Sequence, residues 1–318
     1  MRISLEQALN ILMDHVTHGK TERKTLEDCL GLVLSEDVYA LLDMPPFSRS
    51  AQDGYALCSK DSIGATGENP VKLKVTGKIY AGDHLDVQVR PGEAVRIMTG
   101  AMVPAGADCV LRQEDTDEGE DVVQIYKEVE PGCSICFKGE EYKKGHTLLH
   151  AGTKIDAAAL AVASGNGIME LPVYERVKAA VVSSGSEVVE PGTPLTPGKI
   201  YNTNTIYMKA RLSQLGARVM MTRTVGDDLE VMAEALKEAA DQAELVITTG
   251  GVSVGQKDLT EEALLSIGAK ILFHGIAIKP GMPTLAAEKR WGVVYRTFRK
   301  SIFQRQSHLK CLYVRSCH

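Results

Sequence analysis

The sequence is poor in aromatic residues and has no long apolar run. Aromatic residues make up 5% of the 318 residues, and one of them is Trp, so a surface that binds bases by stacking is not expected. The net charge of −5 also argues against nucleic acid as the main partner. No segment approaches the roughly 18 apolar residues of a membrane-spanning helix. We therefore expect a globular protein that binds neither nucleic acid nor membranes.

The sequence also lacks the features of a secreted protein. Its seven Cys are odd in number and scattered, a pattern typical of the reducing cytoplasm. The first residues, "MRISLEQALNILMDHV", alternate at helical spacing and do not resemble a signal peptide. Cys133 and Cys136 form a single C-x-x-C without a second pair or a nearby His, which is a weak signal for a metal or redox site. We expect a cytoplasmic protein in which this pair is coincidental.

Acidic residues are missing from one segment, the last 23 residues. Residues 296–318 contain six Lys or Arg and no Asp or Glu, whereas the preceding residues carry 30 basic and 41 acidic side chains. The segment shows neither clustered charge nor amphipathic order, so a tail that binds nucleic acid or membranes is disfavoured. Its composition differs from that of the rest of the chain and requires a separate explanation.

The chain is long enough for two or three domains. Ser4 is predicted to cap a first helix with an apolar face. Residues 41–56 contain two prolines and no period, which indicates an extended loop. From 70 to 137 short strands are broken by Gly and Pro, which predicts a β-rich module. From about residue 175 strands alternate with helices, which predicts a parallel sheet covered by helices, with ligands at the carboxyl ends of its strands.

The segment "TTGGVSVGQKD" is the strongest local signal. Gly250 and Gly251 follow a predicted buried strand and let backbone N–H groups approach an anion closely. Thr249 and Ser253 add hydroxyl groups, and Asp258 could hold a metal ion. The alternative is a tight turn with a solvated Asp.

Two further strand ends carry acidic groups. "SSGSE" places Ser184, Gly185 and Glu187 after the first strand of the predicted sheet, and "VGDD" places Asp227 after the second. Carboxylates near a phosphate site are explained if a hard cation lies between them. Alternatively, each acid is a helix cap worth about 1 kcal/mol. The stiff turn "KPGMP" fixes the direction of Lys279, which could add positive charge near the anion loop.

Seven stretches, in order, resemble one known family, and none of them is decisive alone. They are "PPFSRSAQDGYA", "GEAVRIMTGAMVPAGADCVL", "KGEEYKKG", "YNTNTIYMKARLSQLGA", "VGDD", "VITTGGVSVGQKD" and "GIAIKPGMP", and they lie between about residues 5 and 288. Together they resemble the molybdopterin molybdenumtransferases of the MoeA type, to which the E domain of gephyrin also belongs.

The resemblance implies an elongated multidomain fold that combines α/β and β architecture. We expect a helical and extended linker domain (1–45 with 138–174), an inserted β domain (46–137), and an incomplete α/β molybdopterin-binding domain (175–295). The last is expected to have three layers, like the MogA-type adenylyltransferases. A homodimer is also implied, in which the β domain of one subunit faces the α/β domain of the other. A C-terminal β-barrel domain of the family is not found in the sequence.

The resemblance also implies the reaction. Molybdate would be inserted into adenylylated molybdopterin with release of AMP, assisted by a divalent cation, usually Mg²⁺. The positions that match the functional residues of the family are as follows: catalytic, Asp53, Thr99, Glu187, Asp227 and Asp258; substrate-binding, Ser184, Gly185, Asn204, Gly250, Gly251, Ser253 and Lys279; metal-binding, Glu187, Asp227, Asp258 and Glu141. Other proteins of molybdenum cofactor biosynthesis could be partners.

The sequence departs from the family pattern at two cationic positions. Gly275 and Met282 stand where some members carry Lys, so part of the positive field is missing and capture of an anion could be weaker. Two other functions remain open, namely adenylylation of molybdopterin and a non-catalytic binding or scaffold role. Consumption of ATP would indicate the first of these, and adenylate binding without turnover would indicate the second.

The unusual tail is explained by a hypothesis about the reading frame. Residues 296–301, Arg-Thr-Phe-Arg-Lys-Ser, can be encoded by codons that read Gly-Leu-Ser-Gly-Asn-Pro after loss of one base, and the family has a turn of this form after a strand. We therefore expect residues 296–318 to be an aberrant tail, with a strand and a molybdate-binding turn lost and transferase activity weak or absent. Reading the DNA across the codons for Val294 to Ser301 tests this.

Overall fold

The computed structural model describes residues 2–16, 19–83, 87–250, 259–279, 283–289 and 292–297. They form two compact units. The first contains the described residues of Met1–Glu36, His150–Leu160 and Glu170–His318, and the second those of Asp37–Leu149 and Ala161–Met169. The second unit is thus inserted into the chain of the first. The predicted linker domain (1–45 with 138–174) is distributed over both units. Within the described ranges, no helix is both long and apolar enough to cross a membrane.

The elements are numbered in chain order. The helices are α1 (Leu5–Asp14), α2 (Ala157–Gly165), α3 (Thr203–Gln214), α4 (Leu229–Gln242) and α5 (Leu259–Ser266). The strands are β1 (Thr21–Thr25), β2 (Val38–Tyr39), β3 (Arg49–Ser50), β4 (Gly54–Leu57), β5 (Val71–Ile79), β6 (Glu93–Ile97), β7 (Cys109–Arg112), β8 (Val122–Ile125), β9 (Ile135–Cys136), β10 (Thr147–Leu149), β11 (Glu170–Tyr174), β12 (Lys178–Ser184), β13 (Val188–Val189), β14 (Ile200–Tyr201), β15 (Arg218–Val225), β16 (Leu245–Thr249), β17 (Lys270–His274), β18 (Leu285–Lys289) and β19 (Gly292–Thr297).

The first unit is built around a six-stranded sheet with the order β15-β12-β16-β19-β18-β17. β15, β12, β16 and β19 are parallel, whereas β18 is antiparallel to both of its neighbours. The prediction of a parallel sheet is therefore correct for β15, β12, β16 and β19 but not for the pairs that β18 forms. The segment 275–284 between β17 and β18 is too short for a crossover helix, so β18 has to return in the opposite direction.

Helices cover both faces of this sheet. Successive residues of a strand point to opposite faces. Accordingly Ala180 and Val182 of β12 pack with residues of α4 and α5, such as Leu236 and Leu264, and the alternate residue Val181 packs with Leu212 of α3. This is the three-layer arrangement that the alternation of strands and helices predicts.

The first helix is capped as predicted and packs on the same sheet. Ser4 Oγ accepts a hydrogen bond from Gln7 N–H at 3.1 Å, and Gln7 Oε1 accepts one from Ser4 N–H at 2.9 Å, which forms a capping box. Ala8 and Leu12 of α1 are buried against residues of β17 and β18, including Phe273 and Ala286. The N-terminal helix therefore belongs to the first unit.

The last described strand includes two residues of the predicted tail. β19 pairs with β16 and β18, with Arg296 opposite Thr248 and Thr297 opposite Thr249 of β16. Because most of β19 is the segment Gly292–Tyr295, the expected loss of a strand after Tyr295 is not tested by it and stays a prediction. Strand pairing uses backbone groups, so it does not require the side chains that the family pattern has there. Residues 298–318 lie outside the described residues, and the reading-frame hypothesis for them stays a prediction.

The second unit contains a five-stranded sheet with the order β7-β4-β6-β5-β8. The β5–β6 pair is parallel and the other pairs are antiparallel. Tyr55 and Leu57 of β4 are buried on one face of the sheet and Ala56 on the other. At Gly54, in the motif "DGYA", a Cβ atom would lie 1.9 Å from the carbonyl oxygen of Leu111. The strands β4 and β7 can approach this closely because residue 54 has no side chain.

Candidate functional site

The carboxyl ends of three parallel strands lie side by side in the first unit. Ser183 of β12 is in register with Thr224 of β15 and with Thr249 of β16. Strands that run in the same direction expose their carboxyl ends at one edge, where ligands of open α/β sheets bind. The structure thus brings together the turns that carry Ser184, Glu187, Asp227 and Gly250.

The turn after β12 is tied to the turn after β15. Gly185 N–H donates to Val225 O at 3.1 Å. Ser186 N–H donates to Asp227 Oδ2 at 3.1 Å, and Asp227 N–H donates to Ser186 Oγ at 3.2 Å. Glu187, the next residue, is half-buried. Asp227 is therefore held beside this turn by reciprocal hydrogen bonds, and its role is not that of a helix cap.

A buried hydroxyl group at this edge has no hydrogen-bond partner in the described part of the chain. Ser184 is 3% exposed, and its Oγ is among the buried side-chain atoms without a partner. Such a group costs about 1–3 kcal/mol unless something satisfies it. A buried polar atom without a partner calls for an explanation, and a bound ligand at this end of the sheet would supply one.

Gly250 lies directly against Ser184. Its φ angle is +97°, and a Cβ atom there would be 1.9 Å from Ser184 O and 3.1 Å from Ser184 Oγ. The backbone after β16 therefore approaches the turn after β12 in a way open only to glycine. Gly251, Ser253 and Asp258 of the predicted anion loop lie outside the described residues, so their roles stay predictions.

Cations at this edge differ from those expected. Lys279 is exposed, and its contact with an anion stays a prediction. Lys199 Nζ donates to Ser186 O at 2.6 Å, so this lysine, which sequence reasoning missed, lies beside the turn that carries Glu187. Gly275 is buried with a φ angle of +92°, a conformation that Lys rarely adopts. Met282 lies outside the described residues.

A network of buried polar side chains also escaped the sequence analysis. Asn202, 2% exposed, caps α3 and contacts Thr205, Thr224 and Glu190. Asn202 stands just before the periodic segment of α3, so the N-cap preference of Asn could have identified it. Asn204, a predicted substrate residue, is half-buried in the first turn of α3.

The predicted metal ligands are only partly described. Glu187 and Asp227 belong to the first unit, whereas the exposed Glu141 belongs to the second, where its N–H donates to Met44 O at 3.0 Å. Within the described residues, no group of three or more His, Cys, Asp or Glu is placed to hold a metal ion. Asp258 falls outside that set. Cys133 is exposed and Cys136 half-buried, without a bound partner cysteine.

In the second unit, the structure brings together two predicted site residues. Asp53 Oδ1 accepts hydrogen bonds from Thr99 Oγ1 at 2.6 Å and from Thr99 N at 2.7 Å. The hydroxyl group of Thr99, then its N–H group, and more weakly the charge of Arg96 hold the pKa of Asp53 below its ordinary value of 3.8, against the opposing effect of burial. Asp53 is therefore ionised at neutral pH, and its carboxylate orientation is fixed by Thr99.

Removal of the Thr99 hydroxyl tests this assignment. In Thr99→Val, the pKa of Asp53 should rise towards its ordinary value, because the ionised form loses its strongest stabilising donor. The ionised carboxylate would then be lost at a higher pH than in the unmodified protein as the solution is acidified. Carboxyl-carbon NMR titration measures the shift. Thr76→Val is the control, since the Thr76 hydroxyl donates to the Ala94 carbonyl. An unchanged Asp53 titration in Thr99→Val would contradict the assignment.

Comparison with known proteins identifies the family. Residues 3–167 match the MoeA N-terminal region (domains I and II), and residues 180–303 match a probable molybdopterin binding domain. A molybdopterin molybdenumtransferase of Staphylococcus epidermidis is 39% identical over 285 residues, which cover 90% of this chain and 68% of that protein. Molybdopterin molybdenumtransferase 2 of Mycobacterium tuberculosis is 43% identical over 263 residues, or 81% of this chain and 65% of that protein.

A solved structure gives the same result. The crystal structure of a molybdopterin biosynthesis MoeA protein from Pyrococcus horikoshii superposes with a TM-score of 0.88 at 32% identity, and the match covers all of this chain and 80% of that one. The chain spans about two thirds of the length of the two curated relatives. The family match and the shared fold agree with the resemblance of the seven motifs. The chain therefore belongs to the MoeA family of molybdopterin molybdenumtransferases, enzymes of molybdenum cofactor biosynthesis.

Proposed function

We propose that this chain inserts molybdate into adenylylated molybdopterin and releases AMP. The observation that carries the proposal is the edge formed by Ser184, Gly250 and Asp227. There a buried hydroxyl without a partner lies against a glycine backbone, next to an oriented carboxylate. Hydroxyl and backbone donors of this kind suit a phosphate group. The family of the chain supports the same reading.

The residues of this edge have distinct proposed roles. Ser184, Gly185 and Gly250, with Gly251 and Ser253, would hold the phosphate-bearing substrate, and Asn204 and Lys279 would contribute further contacts. Glu187 and Asp227, with Asp258, would hold a divalent cation, since carboxylate oxygens are the ligands that Mg²⁺ prefers. When bound, that cation would neutralise charge that develops on the phosphate.

Asp53 and Thr99 form a second proposed catalytic pair. Because Thr99 donates twice to Oδ1 of Asp53, the carboxylate is ionised and oriented. An ionised carboxylate with a fixed orientation can accept a hydrogen bond from the substrate during the transfer. We further propose that the protein acts as a homodimer in the cytoplasm. Sedimentation equilibrium of the purified chain tests the homodimer, for which a mass of twice 34.4 kDa is expected.

The transferase reaction can be tested directly. The purified chain, in excess over adenylylated molybdopterin, is mixed with Mg²⁺ with or without molybdate, and AMP is measured by chromatography. We expect slow AMP release that depends on molybdate. Single-turnover conditions allow a slow reaction to be detected, which matters because the tail hypothesis predicts a weakened molybdate site.

Other outcomes of the same assay would replace the proposal. Consumption of ATP with formation of the adenylate would indicate an adenylyltransferase. Retained binding of the adenylate without any release of AMP would indicate a binding or scaffold protein. A matched reaction with heat-denatured chain measures the uncatalysed release of AMP.

A further inference from the structure

Asn202 makes more hydrogen bonds than a helix cap requires. Its Oδ1 accepts from Thr205 N–H at 3.1 Å, which caps α3. Capping requires only a side-chain oxygen, and Ser or Asp would serve equally well. The amide nitrogen Nδ2 is therefore available for another role.

Nδ2 of Asn202 joins a chain of hydroxyl groups across the sheet. It lies 2.8 Å from Thr224 Oγ1 on β15 and 2.9 Å from Thr205 Oγ1 on α3. Thr205 Oγ1 lies 2.6 Å from Ser183 Oγ on β12, which in turn lies 2.9 Å from Thr249 Oγ1 on β16. Asn202 is thus connected to residues at or next to the carboxyl ends of three neighbouring strands.

The same nitrogen reaches the segment that follows the first turn. Nδ2 of Asn202 lies 3.1 Å from Glu190 Oε1, and Thr224 Oγ1 donates to that oxygen at 2.7 Å. Asn202 N–H also donates to Val189 O at 2.8 Å. The segment that begins at Glu187 is therefore fixed to the strand ends through Asn202.

We propose that Asn202 is a positioning residue of the transferase site. Through the hydroxyl chain it holds the three strand ends in the register that the turns carrying Glu187, Asp227 and Gly250 require. Buried networks whose members are all hydrogen-bonded favour one arrangement of the groups they join. Asn202 touches no reacting atom in this scheme. The proposal rests on the proposed function, since it concerns the geometry of that same site.

The variant Asn202→Ser separates positioning from capping. Ser keeps an oxygen that can cap α3 but removes the amide nitrogen, whose two N–H groups lie within hydrogen-bond distance of Thr224, Thr205 and Glu190. We expect kcat to fall about 10- to 100-fold, because small misplacements of catalytic groups have effects of this size. The KM for the adenylate should change less than about threefold, since ground-state contacts remain. Asp228→Ser is the matched control, because Asp228 caps α4 through Val231 N–H without a comparable network.

A second variant breaks the chain elsewhere. Thr205→Val removes the hydroxyl between Asn202 and Ser183 and leaves the capped N–H in place. If both residues act through one network, the double variant should lose little more kcat than either single variant. If the fold-losses in kcat of the two single variants multiply in the double variant, the two residues act independently and the proposal is overturned.

Amide hydrogen exchange provides a readout that does not depend on turnover. In Asn202→Ser, exchange at residues 183–187 and 224–227 should accelerate at least about tenfold, because the strand ends are less firmly held. If the unmodified protein shows no transferase reaction but this acceleration occurs, the proposed function fails and positioning of the strand ends is supported. If exchange is unchanged, the positioning role is wrong, whether or not kcat falls.

Discussion

Replacement of Gly250 by Ala is expected to destabilise the first unit and to reduce transferase activity about 100-fold or more. The new Cβ atom would lie 1.9 Å from the carbonyl oxygen of Ser184, so the backbone after β16 would have to move away from the turn after β12. A φ angle of +97° adds about 1–3 kcal/mol for a non-glycine residue, and overpacking costs about 1–3 kcal/mol. A shift of about 1 Å in catalytic groups can lower a rate 100-fold.

A second glycine of the same unit separates the two causes of this effect. Gly268 has a φ angle of +79°, but nothing lies within 4 Å of a Cβ atom built there. Gly268→Ala should therefore lower the free energy of unfolding only by the cost of a positive φ angle, about 1 kcal/mol. Turnover should be unchanged. Thermal unfolding and single-turnover AMP release measure both variants. Equal stability and equal activity of the two variants would mean that the contact with Ser184 is easily relieved.

Replacement of Asp227 by Asn is expected to lower turnover about 100-fold or more without loss of the turn. Asn has an oxygen that can accept the hydrogen bond from Ser186 N–H, which Asp227 Oδ2 accepts at 3.1 Å. What disappears is the negative charge that the proposed cation site requires. Metal-assisted charge stabilisation is worth several kcal/mol, and each 1.36 kcal/mol corresponds to about tenfold in rate. Turnover measured over a series of Mg²⁺ concentrations should show a higher Mg²⁺ requirement for the variant.

The neighbouring aspartate is a close control for this experiment. Asp228 Oδ1 accepts from Val231 N–H at 2.9 Å and caps α4, and Asn is an equally good cap. Asp228→Asn should therefore retain turnover within about threefold and the same Mg²⁺ dependence. If Asp227→Asn behaves in the same way, Asp227 serves only to fix the turn and the proposed cation site must be revised.

The parts of the fold that were predicted from the sequence are those with local signals. Ser4 precedes an apolar periodic segment, and α1 is capped as expected. The helices α3 and α4 likewise coincide with periodic segments between predicted strands. The antiparallel direction of β18 was missed because "KPGMP" indicates a turn, and a turn alone does not specify which neighbour the next strand joins.

The parts that could not be predicted depend on residues distant in the sequence. The hydroxyl group of Thr249 was assigned to an anion site, but in the structure it contacts the hydroxyl group of Ser183. Gly54 belongs to a motif that reads as an ordinary loop, yet the requirement for glycine comes from Leu111 on the neighbouring strand. Contacts of this kind follow from strand pairing, and a single sequence contains no local signal for them.

The insertion of the second unit sets the order in which the chain can fold during synthesis. Most of that unit lies in Asp37–Leu149, so it is translated before the sheet of the first unit exists. The first unit needs α1 from the start of the chain to pack against β17 and β18, and β19 to enter between β16 and β18. Contacts at such sequence separation slow folding. A ribosome that has made the first half of the protein therefore carries one folded module flanked by α1, which has yet to meet its partner strands.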